Sequence, residues 1–71
     1  MVNSSYTAVI KRDEDWWIGW VEEVPGVNSQ GRTRNELVDN LRSALAEALE
    51  MNRADAVAAA GPEYEELSLS V

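Results

Sequence analysis

The stretch Pro25-Gly26-Val27-Asn28-Ser29-Gln30-Gly31-Arg32-Thr33 holds two of the four glycines of a 71-residue chain. Glycine loops can cradle phosphate when they join a buried strand to a helix whose bare amide groups face the ligand. Here the first glycine follows a proline. The second precedes Thr33-Arg34-Asn35-Glu36, a capping box in which the threonine and glutamate side chains occupy the first-turn amides. No G-K-[ST] and no G-x-G-x-x-G occurs in the chain. The stretch therefore reads as a connector that places a short strand between a hairpin and a helix.

Carboxylates are the other chemistry-bearing groups. Asp13, Glu14 and Asp15 are consecutive and could be imagined around magnesium, but neighbours on a hairpin tip diverge and stay hydrated, so a solvated turn is expected. Glu22 and Glu23 fall on opposite faces of an extended segment and cannot act as a pair. Ser4, Ser5, Ser29, Ser43, Ser68 and Ser70 have no base in evident reach, because the chain contains neither histidine nor cysteine. The same absence excludes disulfides and the common Cys/His zinc sites. No metal, cofactor or catalytic residue is expected, and the chain is expected not to be an enzyme.

Length and charge narrow the remaining classes. Seventy-one residues support a single domain, residues 1–71, with one thin core. Oligomerisation, as a homodimer or homotetramer, is the expected source of added stability. The formal charge is -7, from 13 acidic and 6 basic residues. Such a surface repels polyanions, so direct nucleic-acid binding is not expected; it suits a basic protein partner, or serves solubility. No apolar run approaches the ~20 residues of a membrane span. The start MVNSSYTAV lacks the blocks of a signal peptide, so a cytoplasmic location is expected.

The elements that position these residues follow from periodicity. Ser5 to Lys11 and Asp15 to Val21 are β-prone runs across a short polar link, which is a hairpin pattern. With no Asn-Gly or Asp-Gly pair, a four-residue loop around a type I turn is expected. Pro25-Gly26 closes the second strand, Val27 to Gln30 allows a short third, and Gly31 breaks it. After the capping box, Leu37, Val38, Leu41, Ala44, Leu45, Ala48 and Leu49 recur at helical spacing. They give an amphipathic helix from about Arg34 to about Met51. Residues 52–60 either continue it or form a short second helix, ended by Gly61-Pro62. Glu65 to Val71 alternates Leu67, Leu69 and Val71 against Glu66, Ser68 and Ser70, a half-buried strand pattern. The expected class is α+β, a two-layer β-β-β-α-β fold with an antiparallel three-stranded meander and one main helix on one face.

Hairpin parity then decides which side chains are free. With two or four loop residues, Ile10 would face Trp17, Ala8 would face Gly19 and Tyr6 would face Val21, on the helix side. Thr7, Val9 and Lys11 with Trp16, Ile18 and Trp20 would form the open side; a three-residue loop would swap the two faces. Mixed aromatic and polar surface of this kind suits an interface core, with a partner or with a second copy. The candidate partner-binding residues are Trp16, Ile18 and Trp20, with Glu22 and Glu23 supplying rim charge.

The segment YTAVIKRDEDWWIGWVEEVPGVNSQGRTRNELVDNLRSALAEAL resembles the amino-terminal domain of HicB-type antitoxins. The matching residues are Tyr6, Trp17, Pro25, Gly26, Gln30, Gly31, Thr33, Glu36, Leu41 and Ala44, within about residues 5–53. Two departures stand out: Glu22 replaces the usual proline before the Pro-Gly element, and Leu37 stands where alanine is frequent. The resemblance implies a partial RNase H-like sheet with the last strand beside the first, and no nuclease activity. It implies neutralisation of a HicA-type toxin, a small basic RNA-cleaving protein, by direct binding, and assembly as dimers or tetramers. Many members add a DNA-binding module; this chain has no room for one, so operator binding is not expected of it. The alternative is an orphan HicB-like scaffold or regulatory interaction module without a toxin. A residual nuclease using Asp13 and Asp15 is a third reading.

Overall fold

The computed structural model describes residues 5–70. It contains β1 (Ala8–Asp13), β2 (Trp16–Val21), β3 (Asn28–Gly31) and α1 (Arg34–Ala60). The three strands form one antiparallel sheet in the order β1-β2-β3. The helix lies on one side of it, so the α+β class and the meander are as expected.

The hairpin differs from expectation in loop length and register. Only Glu14 and Asp15 lie between the strands, and Ile10 pairs with Gly19, Ala8 with Val21 and Arg12 with Trp17. Relative to the expected pairing, β1 has slid by two residues. A slide of two preserves side-chain parity, so the faces stand as expected although the partners do not. Glu14 makes the tight turn possible by adopting φ 55, a left-handed conformation that costs a non-glycine residue about 1 kcal/mol. Arg12 Nε donates to the Glu14 carbonyl at 3.2 Å across the tip. The slide sets Ile10 beside Gly19, which lies under the helix, where an added Cβ would meet Ile10 Cγ2 and the Val9 carbonyl at 2.9 Å and Leu41 Cδ1 at 3.2 Å. Helix and sheet thus approach closely at Gly19.

The connector is built as its composition suggests. Val27 N–H donates to the Val24 carbonyl at 3.3 Å, with Pro25 and Gly26 (φ 89) between them, the arrangement of a type II turn. Val21 N–H then donates to the Val27 carbonyl at 3.0 Å, carrying Val27 into the core. At the far end, Thr33 Oγ1 accepts from Glu36 N–H at 3.1 Å, and Leu37 N–H donates to the Thr33 carbonyl at 3.0 Å. The Glu36 carboxylate reaches back to Arg32 N–H, at 2.8 Å, one residue before the usual capping-box partner. A Cβ on Gly31 would lie 2.6 Å from the backbone nitrogen of Leu37. The helix start is capped and packed against β3, as a connector requires.

The core is small: Val21, Val27, Leu37 and Leu41 are buried, with Ile10, Trp17, Val24, Ala44, Leu45 and Ala48 packed around them. Leu37, fully buried at 0% exposure, is its centre. Asn40 Nδ2 donates to the Gln30 carbonyl at 2.9 Å, fastening α1 to the outer side of β3. Of the two alternatives for residues 52–60, the structure has the continuation: α1 runs unbroken to Ala60, and Gly61 caps it at φ 83 with its N–H donating to the Val57 carbonyl at 3.3 Å.

One expected element is missing. Residues 62–70 form no strand, and the expected fourth strand beside β1 is absent among the described residues; Val71 lies outside them. Alternation alone cannot make a strand, because its backbone groups need an edge to pair with. Here the tail turns at Gly61 and follows the helix, held by Arg53 Nη2 donating to Glu66 Oε2 at 3.1 Å.

Candidate protein-binding face

Strand β2 divides the tryptophans. Trp17 points into the core with Gly19 and Val21, whereas Trp16, Ile18 and Trp20 alternate onto the side without a helix. Register extends each of these across the sheet. Val9, Trp20 and Asn28 form one row, and Lys11, Ile18 and Gln30 form the next. Asp13 pairs with Trp16, and Arg32, one residue past Gly31, completes that third row. The Arg32 guanidinium sits over the Trp16 ring at 4.3 Å from its centroid, a cation–π contact.

Three of the five expected site residues thus share one surface. Trp20 is 42% exposed and Trp16 37%, while Val9 and Ile18 are half-buried between them. The two glutamates sit at the end of the sheet away from the hairpin tip. Glu22 N–H donates to the Thr7 carbonyl at 2.9 Å, and its exposed side chain is an available rim charge. Glu23 is engaged differently from the expected rim role: its Oε1 accepts from Thr7 N–H at 2.8 Å. That backbone hydrogen bond holds the Glu23 carboxyl below its ordinary value. Glu23 therefore clamps the entry of β1.

Lys11, Arg32, Asn28 and Gln30 belong to this face as well and were not among the expected site residues. Their signal was available in part, since antiparallel parity in β3 puts Asn28 and Gln30 on the side of Trp20 and Ile18. The stacking of Arg32 needed the register. With these included, Lys11 stands in the middle row of the face, Arg32 and Asp13 flank Trp16 in the row nearest the tip, and negative charge collects at the ends, on Glu14 and Asp15 at the tip and Glu22 at the base.

The competing chemistries find no geometry. Among the described residues, no group of three or more carboxylates could hold a metal ion, and Thr33 Oγ1 occupies the Glu36 amide at the start of α1. Among the described residues, no helix is long and apolar enough to cross a membrane. Compared with protein-family models, with curated proteins and with solved structures, the chain matches none of them.

Proposed function

We propose that this chain acts as a protein-binding module, an antitoxin of the HicB type that neutralises a small basic RNA-cleaving toxin of the HicA type by covering it. The observation that carries the reading is the helix-free face, where Trp20 is exposed beside the half-buried Ile18 and Val9 and Trp16 is held in place by Arg32. A buried aromatic anchor is the kind of residue that dominates a protein interface, and acids at the rim steer a basic partner onto it. The resemblance over residues 5–53 and the charge of -7 point the same way. The proposal includes action in the cytoplasm, no catalysis by this chain, and the partial RNase H-like ancestry of the sheet.

The test uses as probe a small basic RNA-cleaving protein of the HicA type, sought in the gene next to this one's. Equimolar chain should abolish its RNA cleavage and co-elute with it. Full cleavage with no complex would sink the reading for that toxin. Within a complex, Trp20→Ala should weaken binding about 30-fold or more, the loss of a ~2 kcal/mol anchor. Trp16→Ala should do less, because Arg32 already covers one side of that ring. Glu23→Ala should do least, since its carboxylate serves β1. Equal effects of Trp20→Ala and Glu23→Ala would contradict the assigned face.

A second reading, an interaction module without a toxin, is favoured by the local charge. Lys11 in the middle row of the face and Arg32 beside Trp16 suit a partner that brings acidic groups to these two cations. Lys11→Glu separates the two: it should tighten a basic partner and loosen an acidic one.

A further inference from the structure

The side of the sheet away from Trp16 and Trp20 carries its own unfilled surface. The Glu22–Thr7 hydrogen bond fixes which residues of β1 face β2. By antiparallel alternation, Thr7, Val9, Lys11 and Asp13 bond inward, and the N–H and C=O groups of Ala8, Ile10 and Arg12 point outward. Among the described residues, no strand lies beside that edge. A groove of about 240 Å³ runs along it on the helix side, lined by Tyr6, Ala8, Val21, Val38, Leu41 and Leu45 with Arg42 at its mouth. Ala8 is the small residue that leaves the groove open.

The tail is complementary to this edge in pattern and in charge. Leu67 and Leu69 lie on one side of an extended segment, at 81% and 80% exposure, and Glu65 and Glu66 precede them. Arg12 on the edge, whose Nε bonds the Glu14 carbonyl, and Arg42 at the groove, in an exposed pair with Asp39 at 3.6 Å, offer the opposite sign.

The chain's own tail does not reach. Glu66 is clasped to Arg53, which lies about 18 Å along α1 from Leu41 at ~1.5 Å per residue. Leu67 and Leu69 extend only about 3 and 10 Å beyond Glu66 at ~3.4 Å per residue. Meanwhile α1 overhangs the core by residues 49–60, roughly 18 Å of helix with no sheet beneath it. The molecule measures 50 × 24 × 16 Å, and its 15.0 Å radius of gyration exceeds the ~11 Å of a compact chain this long. A protomer of that shape delivers its tail outside itself.

We propose that residues 65–70 of a second copy add as a fourth strand to the outer edge of β1, with Leu67 and Leu69 filling the groove, and that two copies exchange tails. The missing strand is thus supplied in trans. The tryptophan face stays open in such a dimer, so the inference stands or falls independently of the antitoxin reading.

Sedimentation of the full chain and of the double variant Leu67→Ser/Leu69→Ser tests it. The full chain should sediment at twice its monomer mass. The double variant should weaken the dimer about 100-fold or more, the loss of two buried leucines, with helical circular dichroism retained because both residues lie outside the core. Trp20→Ala should leave the dimer intact. The chain is free of cysteine, so a mixture of Val9→Cys and Ser68→Cys chains, oxidised together, should yield the mixed crosslink. A monomeric full chain, or a dimer indifferent to the leucine changes, overturns the proposal. So does a doubly substituted Val9→Cys/Ser68→Cys chain that closes on itself as a monomer.

Discussion

The two halves of α1 are the same helix held by different forces. From Arg34 to Ala48 the helix is docked: Leu37 and Leu41 are buried on the sheet, Asn40 ties it to β3, and Thr33 with Glu36 closes its start. From Leu49 to Ala60 it stands clear of the sheet, with Val57 half-buried and Met51 65% exposed. There it rests on the intrinsic preference of alanine for helix, on the Gly61 cap and on the exposed Arg53–Glu66 pair. Isolated helices of this length are marginal in water. The difference shows that the amphipathic stripe ends where the sheet ends, while the helix continues because nothing local stops it before Gly61.

Breaking the docked half should have the largest consequence. Leu37→Ala should cost about 3 kcal/mol of global stability in urea denaturation, by transfer loss and cavity, whereas Val57→Ala should change the midpoint little. Comparable losses would mean that the overhang is packed in solution. The two caps sharpen the comparison at an intermediate scale. Thr33→Ala should lower global stability by about 1 kcal/mol. Gly61→Ala forces a side chain into φ 83 at a similar local cost, yet should appear only as faster amide exchange in residues 54–60. The smallest effect is electrostatic. Because the Thr7 amide holds the Glu23 carboxyl below its ordinary 4.5, its contribution is present above that pH and is lost as pH falls through the lowered value. Nuclear magnetic resonance titration of Glu23 should show the depressed midpoint, and Glu23→Gln should abolish the corresponding acid-side loss of stability.

Much of this was legible from residue order. The capping box at Thr33, the stripe from Leu37 to Ala48 and the Pro25-Gly26 turn are signals carried within a few residues, and each appears where it was expected. The division of the tryptophans was legible too, because parity survives any even slide of the hairpin. Loop length was not, since Glu14 carries no turn signature and adopts its left-handed φ only to suit a register chosen elsewhere. The roles of Arg32 and Glu23 were equally hidden: both depend on what lies across the sheet.

Local physics in the chain therefore determined the three strands and the helix, their order, the face each strand residue takes and the helix's beginning. Tertiary structure decided the pairing of Ile10 with Gly19, the seating of Arg32 on Trp16, the diversion of Glu23 to Thr7, and the isolation of Leu67 and Leu69. The reason is one of range. Capping and periodicity act over three or four residues, whereas register and strand formation depend on a partner that the alternating tail does not find within this chain.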